Sequence, residues 1–297
     1  CLCAQMSQRT GEVHVLLRVN PGVTAHTHEY IVTAHDDSKF GISIHEQEAI
    51  VRLIERFSQT AGIVFDGFHA HIGSQIFERE AFETEIAILG RFLAELQHTY
   101  GIEAHSLDVG GGFAVRYTDA DAPIPLPQLC QTITAACERQ KQLHGLALER
   151  ILIEPGRSIV AQAGLTLYTV GFQKQTAHRH YLFVDGGMSD NIRPALYQAA
   201  YACDVANRMN DPKTVRTCVA GKCCESGDVL IEEVMLPPCQ AGDLLAVYTT
   251  GAYGFSMASH YNRLPRPAVV FIKDGQARWV VRRESYADLL RGEDVET

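Results

Sequence analysis

Strand-like and helix-like segments alternate through the first half of this chain, and no other feature constrains the possible folds as strongly. Apolar residues at helical spacing predict three amphipathic helices, and short apolar runs between them predict strands. Alternating β and α units are typical of a parallel sheet with helices packed outside it. The predicted strands are 14–19, 63–69, 106–109 and 150–153, and the predicted helices are 46–60, 80–100 and 129–143.

Polar or glycine-rich residues follow each of these strands at once, which favours a barrel over an open sheet. A (β/α)8 barrel carries its chemistry at the C-terminal ends of its strands and takes roughly 250 residues in eight units. At that size, residues 1–163 hold only about five units. We therefore expect an α/β domain over 1–163 that forms an incomplete (β/α)8 barrel, with the remaining units upstream of Cys1.

The pattern changes after about residue 164, where short strands follow one another between turns. Asp274-Gly275 lies between two apolar runs, which is a strong hairpin signal. We predict a mostly antiparallel β domain over 164–297, closed by a short helix near 285–291. Its predicted strands are 165–168, 181–184, 214–219, 229–234, 244–248, 268–272 and 276–282.

Composition excludes several functional classes. A formal net charge of −9 argues against nucleic-acid binding, which needs a concentrated basic face. No apolar run approaches the roughly 18 residues of a membrane helix, and the N-terminus lacks the features of a signal peptide. The nine cysteines include no CxxC pair. This favours free, mostly buried thiols in a reducing cytoplasm over a disulfide framework or a zinc site.

Two of the loops after strands offer side chains or backbone suited to binding. His69 and His71 could hold a metal together, or they could be one stacking and one packing histidine. The glycines 110–112 could let backbone N–H groups approach a phosphate, although a tight βα turn is the simpler interpretation of the triplet alone. The triplet is not GxGxxG, so a dinucleotide site is disfavoured.

Two further loops combine charge with a nucleophile or a glycine. Glu154, Gly156 and Arg157 could serve a heteroaromatic nitrogen and a phosphate or carboxylate, or form an internal Glu–Arg ion pair. Cys224 and Glu225 mean little on their own, because a buried thiol is the default interpretation of a cysteine.

The order of these motifs is more specific than any one of them. The chain resembles the diaminopimelate decarboxylase family from about Arg18 to Glu284. Several motifs also occur in ornithine and arginine decarboxylases, whereas IRPALY and CESGD narrow the resemblance to the diaminopimelate branch. The motifs are HAHIGSQ (69–75), DVGGGF (108–113), EPGRS (154–158), GGMSDNIRPALY (186–197), CCESGD (223–228), GAYGFSM (251–257) and YNRLPRPA (261–268).

This resemblance implies a pyridoxal 5'-phosphate (PLP) enzyme that converts meso-2,6-diaminopimelate to L-lysine and CO2, with the cofactor at the mouth of the barrel. His71 is expected to stack on the pyridine ring, and Glu154 to face its nitrogen and keep it protonated. The residues expected around the phosphate are Ser74, Gly111, Gly112, Gly156, Arg157 and Tyr253, with Pro155 in the same loop.

The resemblance also implies the substrate contacts and the assembly. Cys224 is expected to donate a proton to Cα. Arg157 and Arg193 are expected to bind the distal carboxylate, and Glu225 the distal ammonium. Tyr197 and Tyr253 complete this set. In the family, the CESGD loop comes from the partner subunit of a homodimer, so shared active sites are expected.

The cofactor lysine of the family lies in a segment that this sequence does not contain, and Lys39 and Lys222 do not match it by position. We expect that segment upstream. Three alternatives remain open: a related PLP decarboxylase or racemase, a lysine-less regulatory homologue, and a metal hydrolase built on His69 and His71.

Overall fold

The computed structural model describes residue 5 and residues 11–23 and 39–293. It divides the chain into two compact units, one formed by Cys1–Val115 and Ala122–Ser158 and the other by Arg116–Asp121 and Ile159–Thr297. The second unit therefore begins ahead of the expected boundary at 163/164 and takes six residues from within the first. Backbone hydrogen bonds explain the earlier start: Gly251 N donates to Ala161 O and Thr250 N to Gly164 O, each at 3.0 Å.

A five-stranded sheet forms the centre of the first unit, in the order β2-β1-β3-β4-β5. Every pair in this sheet is parallel, which confirms the α/β class and the partial barrel. The strands are β1 (Val13–Asn20), β2 (Ile42–Ser43), β3 (Ile63–His69), β4 (Ser106–Asp108) and β5 (Arg150–Leu152).

Helices connect these strands, and their apolar faces form the core with the sheet. Phe68 of β3 and Leu107 of β4 are at most 1% exposed and belong to the same cluster as the buried residues of the helices. The helices are α1 (Gln47–Ser58), α2 (Arg79–Tyr100), α3 (Leu126–His144) and the short α4 (Gly156–Val160), whose last two residues belong to the second unit.

The helix ends follow local sequence signals. Helix α2 stops at Gly101, as predicted, because this glycine adopts a left-handed conformation (φ 65°) and its N–H bonds back to Gln97 O. Helix α3 begins three residues earlier than predicted, at Leu126. A proline occupies its first turn, where the missing N–H has no intrahelical partner to lose.

The second unit contains a six-stranded sheet in the order β10-β9-β7-β6-β11-β8. Only β7 and β9 pair in parallel, so the mostly antiparallel β domain is confirmed. Strand β8 and the helix α5 (Arg193–Tyr197) were not predicted. The strands are β6 (Leu165–Gln175), β7 (His180–Val184), β8 (Cys203–Val205), β9 (Val215–Ala220), β10 (Val229–Leu236) and β11 (Leu244–Tyr248).

A separate hairpin of β12 (Val269–Lys273) and β13 (Gln276–Val281) follows this sheet. Its turn residues Asp274 and Gly275 have φ of 51° and 73°, which is the conformation that an Asp-Gly turn favours. The predicted last helix is α6 (Tyr286–Leu289), which begins with a capping box between Ser285 and Asp288. No helix in the described ranges has the length and apolarity to cross a bilayer.

Candidate functional site

Three side chains converge where neighbouring strands of the first unit end. His69 closes β3, Asp108 closes β4 and Glu154 follows β5, and their ligand atoms all lie within 4.8 Å of one another. His69 Nε2 lies 3.4 Å from Glu154 Oε2. His71 is not part of this group, so the convergence occurs between strands and not within the HxH motif. The three residues are far apart in the sequence, so no motif spacing predicts that they meet.

The glycine triplet 110–112 allows loops to approach one another more closely than other residues would permit. A Cβ on Gly111 would lie 2.1 Å from Glu154 O, and one on Gly112 (φ 89°) would lie 2.3 Å from Gly73 O. The N–H of Gly111 donates to His71 Nδ1 at 3.1 Å. Close packing is therefore sufficient to explain Gly111 and Gly112, and the Gly111 amide fixes the orientation of the imidazole.

His71 is held in its neutral form. Burial lowers its pKa from 6.5 to about 4, electrostatic interactions with Arg18 and His69 add to the effect, and the interaction with Asp108 opposes it. A neutral ring agrees with the acceptor role of Nδ1 toward Gly111. An uncharged imidazole is also suited to lie against a flat heteroaromatic ring.

We expect acid to destabilise the first unit through His71. Because the folded-state pKa is depressed, the unfolded chain takes up the proton first, and stability is lost as pH falls from about 6.5 to about 4. The loss from this residue is about 3 kcal/mol at roughly 1.4 kcal/mol per tenfold change. Urea unfolding of the protein and of His71→Gln between pH 7.5 and 4 measures it.

The matched control is His98→Gln, on the exposed last turn of α2. This variant should keep the pH dependence of the unaltered protein, whereas His71→Gln should flatten it. An unchanged slope in His71→Gln would show that this imidazole is not held neutral by the fold.

Arg157 and Ser74 form a second part of the same region. Arg157 is 8% exposed, and its Nη2 donates to Ser74 Oγ at 2.8 Å. Glu154 lies beside His69, and the ion pairs that join described residues include none between Glu154 and Arg157. The internal Glu–Arg pair is therefore not what this loop forms.

Gly156 differs from the glycines of the triplet. A Cβ built on Gly156 would meet no atom within 4 Å, and its backbone does not adopt the left-handed conformation. Neither packing nor backbone geometry requires a glycine at this exposed position, which Pro155 precedes. The main chain at Gly156 is therefore open to solvent.

In the second unit, a buried arginine is surrounded by tyrosine rings. Arg193 is 5% exposed, and its Cζ lies 5.5 Å from the ring centre of Tyr117 and 5.7 Å from those of Tyr197 and Tyr253. Its Nη1 donates to the Tyr117 hydroxyl at 3.4 Å. Its Nε is buried without a hydrogen-bond partner, and no ion pair between described residues includes Arg193.

Two members of this cluster carry further information. Tyr253 has a positive φ of 57°, a conformation that costs energy in a residue other than glycine and that is concentrated at binding sites. Tyr117 was not predicted from the sequence, because it belongs to no recognisable motif and lies 76 residues from Arg193 along the chain.

The loop that carries Cys224 and Glu225 is exposed. Cys224 is solvent-accessible and not the buried thiol expected by default, whereas its neighbour Cys223 is 9% exposed. Glu225 accepts a hydrogen bond from the Tyr261 hydroxyl. The described cysteines 130, 137, 203, 218, 223, 224 and 239 are all free thiols, as predicted, and Cys1 and Cys3 lie outside the described residues.

Asp228 anchors this loop. It ends the CCESGD motif, but its role was not predicted from the sequence. Its carboxylate accepts the N–H of Met188 at 2.6 Å and that of Cys223 at 2.7 Å. A Cβ on Gly187 or Gly221 would lie 2.6 or 2.2 Å from this carboxylate, so both glycines make room for it. Asp228 is 3% exposed.

The two lysines set aside in the sequence are exposed. Lys39 lies over the ring of Phe40, 4.9 Å from its centre, and Lys222 precedes the Cys223 loop.

The chain is similar to proteins of a known family. The family model described as "Pyridoxal-dependent decarboxylase, pyridoxal binding domain" matches residues 3–161. Diaminopimelate decarboxylase of Bacillus subtilis is 47% identical over 292 residues, which cover 98% of this chain and 66% of that protein.

Solved structures give the same result. Diaminopimelate decarboxylase from Helicobacter pylori, complexed with L-lysine, superposes with a TM-score of 0.84 at 32% identity, over 97% of this chain and 69% of that one. The enzyme from M. jannaschii gives a TM-score of 0.88 at 31% identity, over 99% and 66%. The chain thus spans about two thirds of the length of these relatives.

Proposed function

Because this chain belongs to the pyridoxal-dependent decarboxylase family and is similar to diaminopimelate decarboxylases, we propose that it takes part in decarboxylating meso-2,6-diaminopimelate to L-lysine and CO2. Such a reaction is a carboxy-lyase step that ends lysine biosynthesis. The cofactor proposed for it is pyridoxal 5'-phosphate.

The residues of the first unit fit this cofactor. Glu154 supplies a carboxylate for the pyridine nitrogen, and the neutral His71 supplies a flat face for the ring. Arg157, Ser74 and the main chain at Gly156 supply positive charge and donors for a phosphate, with Gly111, Gly112 and Pro155 shaping the loops around them. When bound, the cofactor supplies the electron withdrawal that lets CO2 leave the substrate.

The chain's own residues provide binding and proton transfer in this proposal. Cys224 holds the proton that is delivered to Cα of the substrate, for which it has to be a thiol at that step. Arg193 binds the distal carboxylate, assisted by Arg157, Tyr197 and Tyr253. Glu225, which lies at the Tyr261 hydroxyl, binds the distal ammonium.

The state of Arg193 is the observation that carries the choice of substrate. A buried guanidinium with an unpartnered Nε–H and no carboxylate partner among the described residues is suited to an anionic ligand. Diaminopimelate keeps a carboxylate at its distal end, whereas ornithine has none there. The three surrounding tyrosine rings attract the Arg193 guanidinium but leave its positive charge unpaired.

We expect the longest reading frame that contains this sequence, purified with pyridoxal 5'-phosphate, to release CO2 from meso-diaminopimelate and form L-lysine. Arg193→Met should lower kcat/KM for this substrate by about a hundredfold or more, because a buried charge-assisted contact is lost. CO2 release and L-lysine are measured directly, with ornithine and arginine as the competing substrates.

The other outcomes separate the alternatives. Release of CO2 from ornithine or arginine but not from diaminopimelate would identify a related decarboxylase. A protein that neither binds pyridoxal 5'-phosphate nor releases CO2 would be a regulatory homologue. Stoichiometric zinc in an inactive protein would favour the metal hydrolase.

We also propose that the enzyme is a cytoplasmic homodimer with shared active sites. Cys224 and Glu225 lie on an exposed loop, where they are available to a second subunit, and the free thiols suit a reducing compartment. If sites are shared, mixing inactive Cys224→Ala with inactive Glu154→Gln should restore up to about a quarter of the activity, because random pairing creates one intact site in half of the dimers. No recovery after subunit exchange would argue against sharing.

A further inference from the structure

Residues 116–121 interrupt the first unit and belong to the second, where hydrogen bonds hold their main chain in place. Ala202 N donates to Tyr117 O at 3.1 Å, and Thr249 Oγ1 donates to Arg116 O at 3.3 Å. Asp121 accepts the N–H of Tyr117 at 3.0 Å, which closes the segment into a turn. The backbone of Tyr117 is therefore fixed from both sides.

The side chain of Tyr117 is fixed as well. It is 7% exposed and meets the ring of Tyr201 edge-on, with ring centres 5.1 Å apart at 83°. Its hydroxyl accepts a hydrogen bond from Arg193 Nη1, and its ring lies against the same guanidinium. Tyr117 thus contacts the arginine with both its polar and its aromatic part.

These two contacts control different properties of the guanidinium. An aromatic ring attracts a nearby guanidinium in many orientations, since the attraction comes from the whole face of the ring. A hydrogen bond to one terminal nitrogen restricts rotation of the guanidinium plane about its long axis. Recognition of a carboxylate by two parallel N–H groups depends on that plane.

We propose that Tyr117 is a positioning residue, whose hydroxyl holds Arg193 Nη1 so that the remaining donors, including Nε, face the distal carboxylate of the substrate. This inference rests on the proposed function and adds a determinant of specificity to it. Tyr117 itself does not have to touch the substrate, because it acts through Arg193.

The test uses ligands that differ in the carboxylate. L-Lysine keeps the distal carboxylate of diaminopimelate, whereas cadaverine has lost it. In the cofactor-loaded full-length protein, Tyr117→Phe should weaken L-lysine binding about five- to tenfold by calorimetry, the effect of one lost hydrogen bond. Cadaverine binding should change by less than about twofold. KM for diaminopimelate should rise by a similar factor while kcat stays nearly constant.

Three controls separate positioning from damage to the fold. Tyr181→Phe removes a hydroxyl from the same unit, at a ring that contacts Phe183 and Arg179 instead of Arg193, and should leave both ligands unaffected. Tyr117→Phe should retain the thermal midpoint of the unaltered protein within about 2 °C. In an Arg193→Lys background, Tyr117→Phe should have no further effect, because the residue acts through the guanidinium.

Each outcome decides something. If the unaltered protein does not bind L-lysine, the inference is overturned together with the proposed function. If it binds L-lysine and Tyr117→Phe binds it equally well, the inference alone is overturned. Equal weakening toward L-lysine and cadaverine would show a general loss of structure and would also overturn it.

Discussion

Replacing Glu85 by methionine is expected to stabilise the first unit at pH 8 by about 1–4 kcal/mol, although it removes a charged residue. Glu85 lies on α2 and is 0% exposed, and both of its carboxylate oxygens are buried without a hydrogen-bond partner in the described part of the chain. A buried carboxylate in that state opposes folding, whereas the methionine side chain fills a similar volume without a polar group.

The effect should depend on pH. Burial, with a contribution from the negative Asp108, raises the pKa of Glu85 well above 4.5. Because the folded-state pKa is raised, the folded chain retains the proton, and the stability linked to it is full below about pH 4.5 and is lost as pH rises. The gap between Glu85→Met and the unaltered protein should therefore be small at pH 4.5 and widen toward pH 8.

Hydrogen exchange of the α2 amides, measured at both pH values, reports the stability of this unit directly. Glu95→Met is the matched control, since Glu95 is exposed on the same helix and should change stability by no more than about 0.5 kcal/mol. Lower protection in Glu85→Met at pH 8 would mean that the carboxylate is stabilised by partners such as buried water.

Replacing Asp228 by asparagine is expected to release the loop that carries Cys224. Both oxygens of Asp228 accept backbone N–H groups, one from Met188 and one from Cys223. The amide nitrogen of asparagine turns one acceptor into a donor, so that one N–H faces another in a buried position. We expect a loss of about 2–4 kcal/mol of local stability.

Alkylation of Cys223 gives a residue-specific measurement. Burial first, and then the negative charge of Asp228, raise the pKa of the Cys223 thiol, so it reacts slowly in the unaltered protein. In Asp228→Asn the loop is less firmly held, so Cys223 is less buried, and the negative charge beside it is removed. Mass spectrometry should therefore show faster alkylation of Cys223, while Cys203 and Cys218 remain protected. Asp211→Asn, at an exposed ion pair in the same unit, is the control. Slow alkylation of Cys223 in Asp228→Asn would show that the loop does not depend on this carboxylate.

Local periodicity was sufficient to predict most of the fold. Helices α1 and α2 and strands β3, β4 and β11 occur within one or two residues of the predicted bounds. Strands β4 and β8 have three residues each, which are too few to show a period. Strand β4 was predicted because the glycine triplet 110–112 follows it, whereas no such loop follows β8, which was missed. The parallel pairing of β7 with β9 was not predicted either, because pairing depends on contacts distant in sequence.

The candidate site was predictable only where a motif carries it. His71, Glu154 and Arg193 were identified in this way, and their roles remain proposals. Tyr117 belongs to no motif, and its hydroxyl reaches an arginine 76 residues away. Asp228 ends the CCESGD motif, but the motif does not show that its carboxylate accepts the N–H of Met188, 40 residues earlier. Such contacts leave no local spacing in the sequence, so only the folded chain reveals them.

The path of the chain through residues 116–121 has a consequence for synthesis on the ribosome. At roughly 5–20 residues per second, Tyr117 emerges about 4–15 s before Arg193, since 76 residues separate them. Helix α3 and strand β5 of the first unit are made in that interval. The partners of residues 116–121, which include Arg193, Ala202 and Thr249, are therefore still untranslated when the first unit is complete. Tyr117 stays without these contacts until then, and a translational pause between β5 and Arg193 would lengthen that interval.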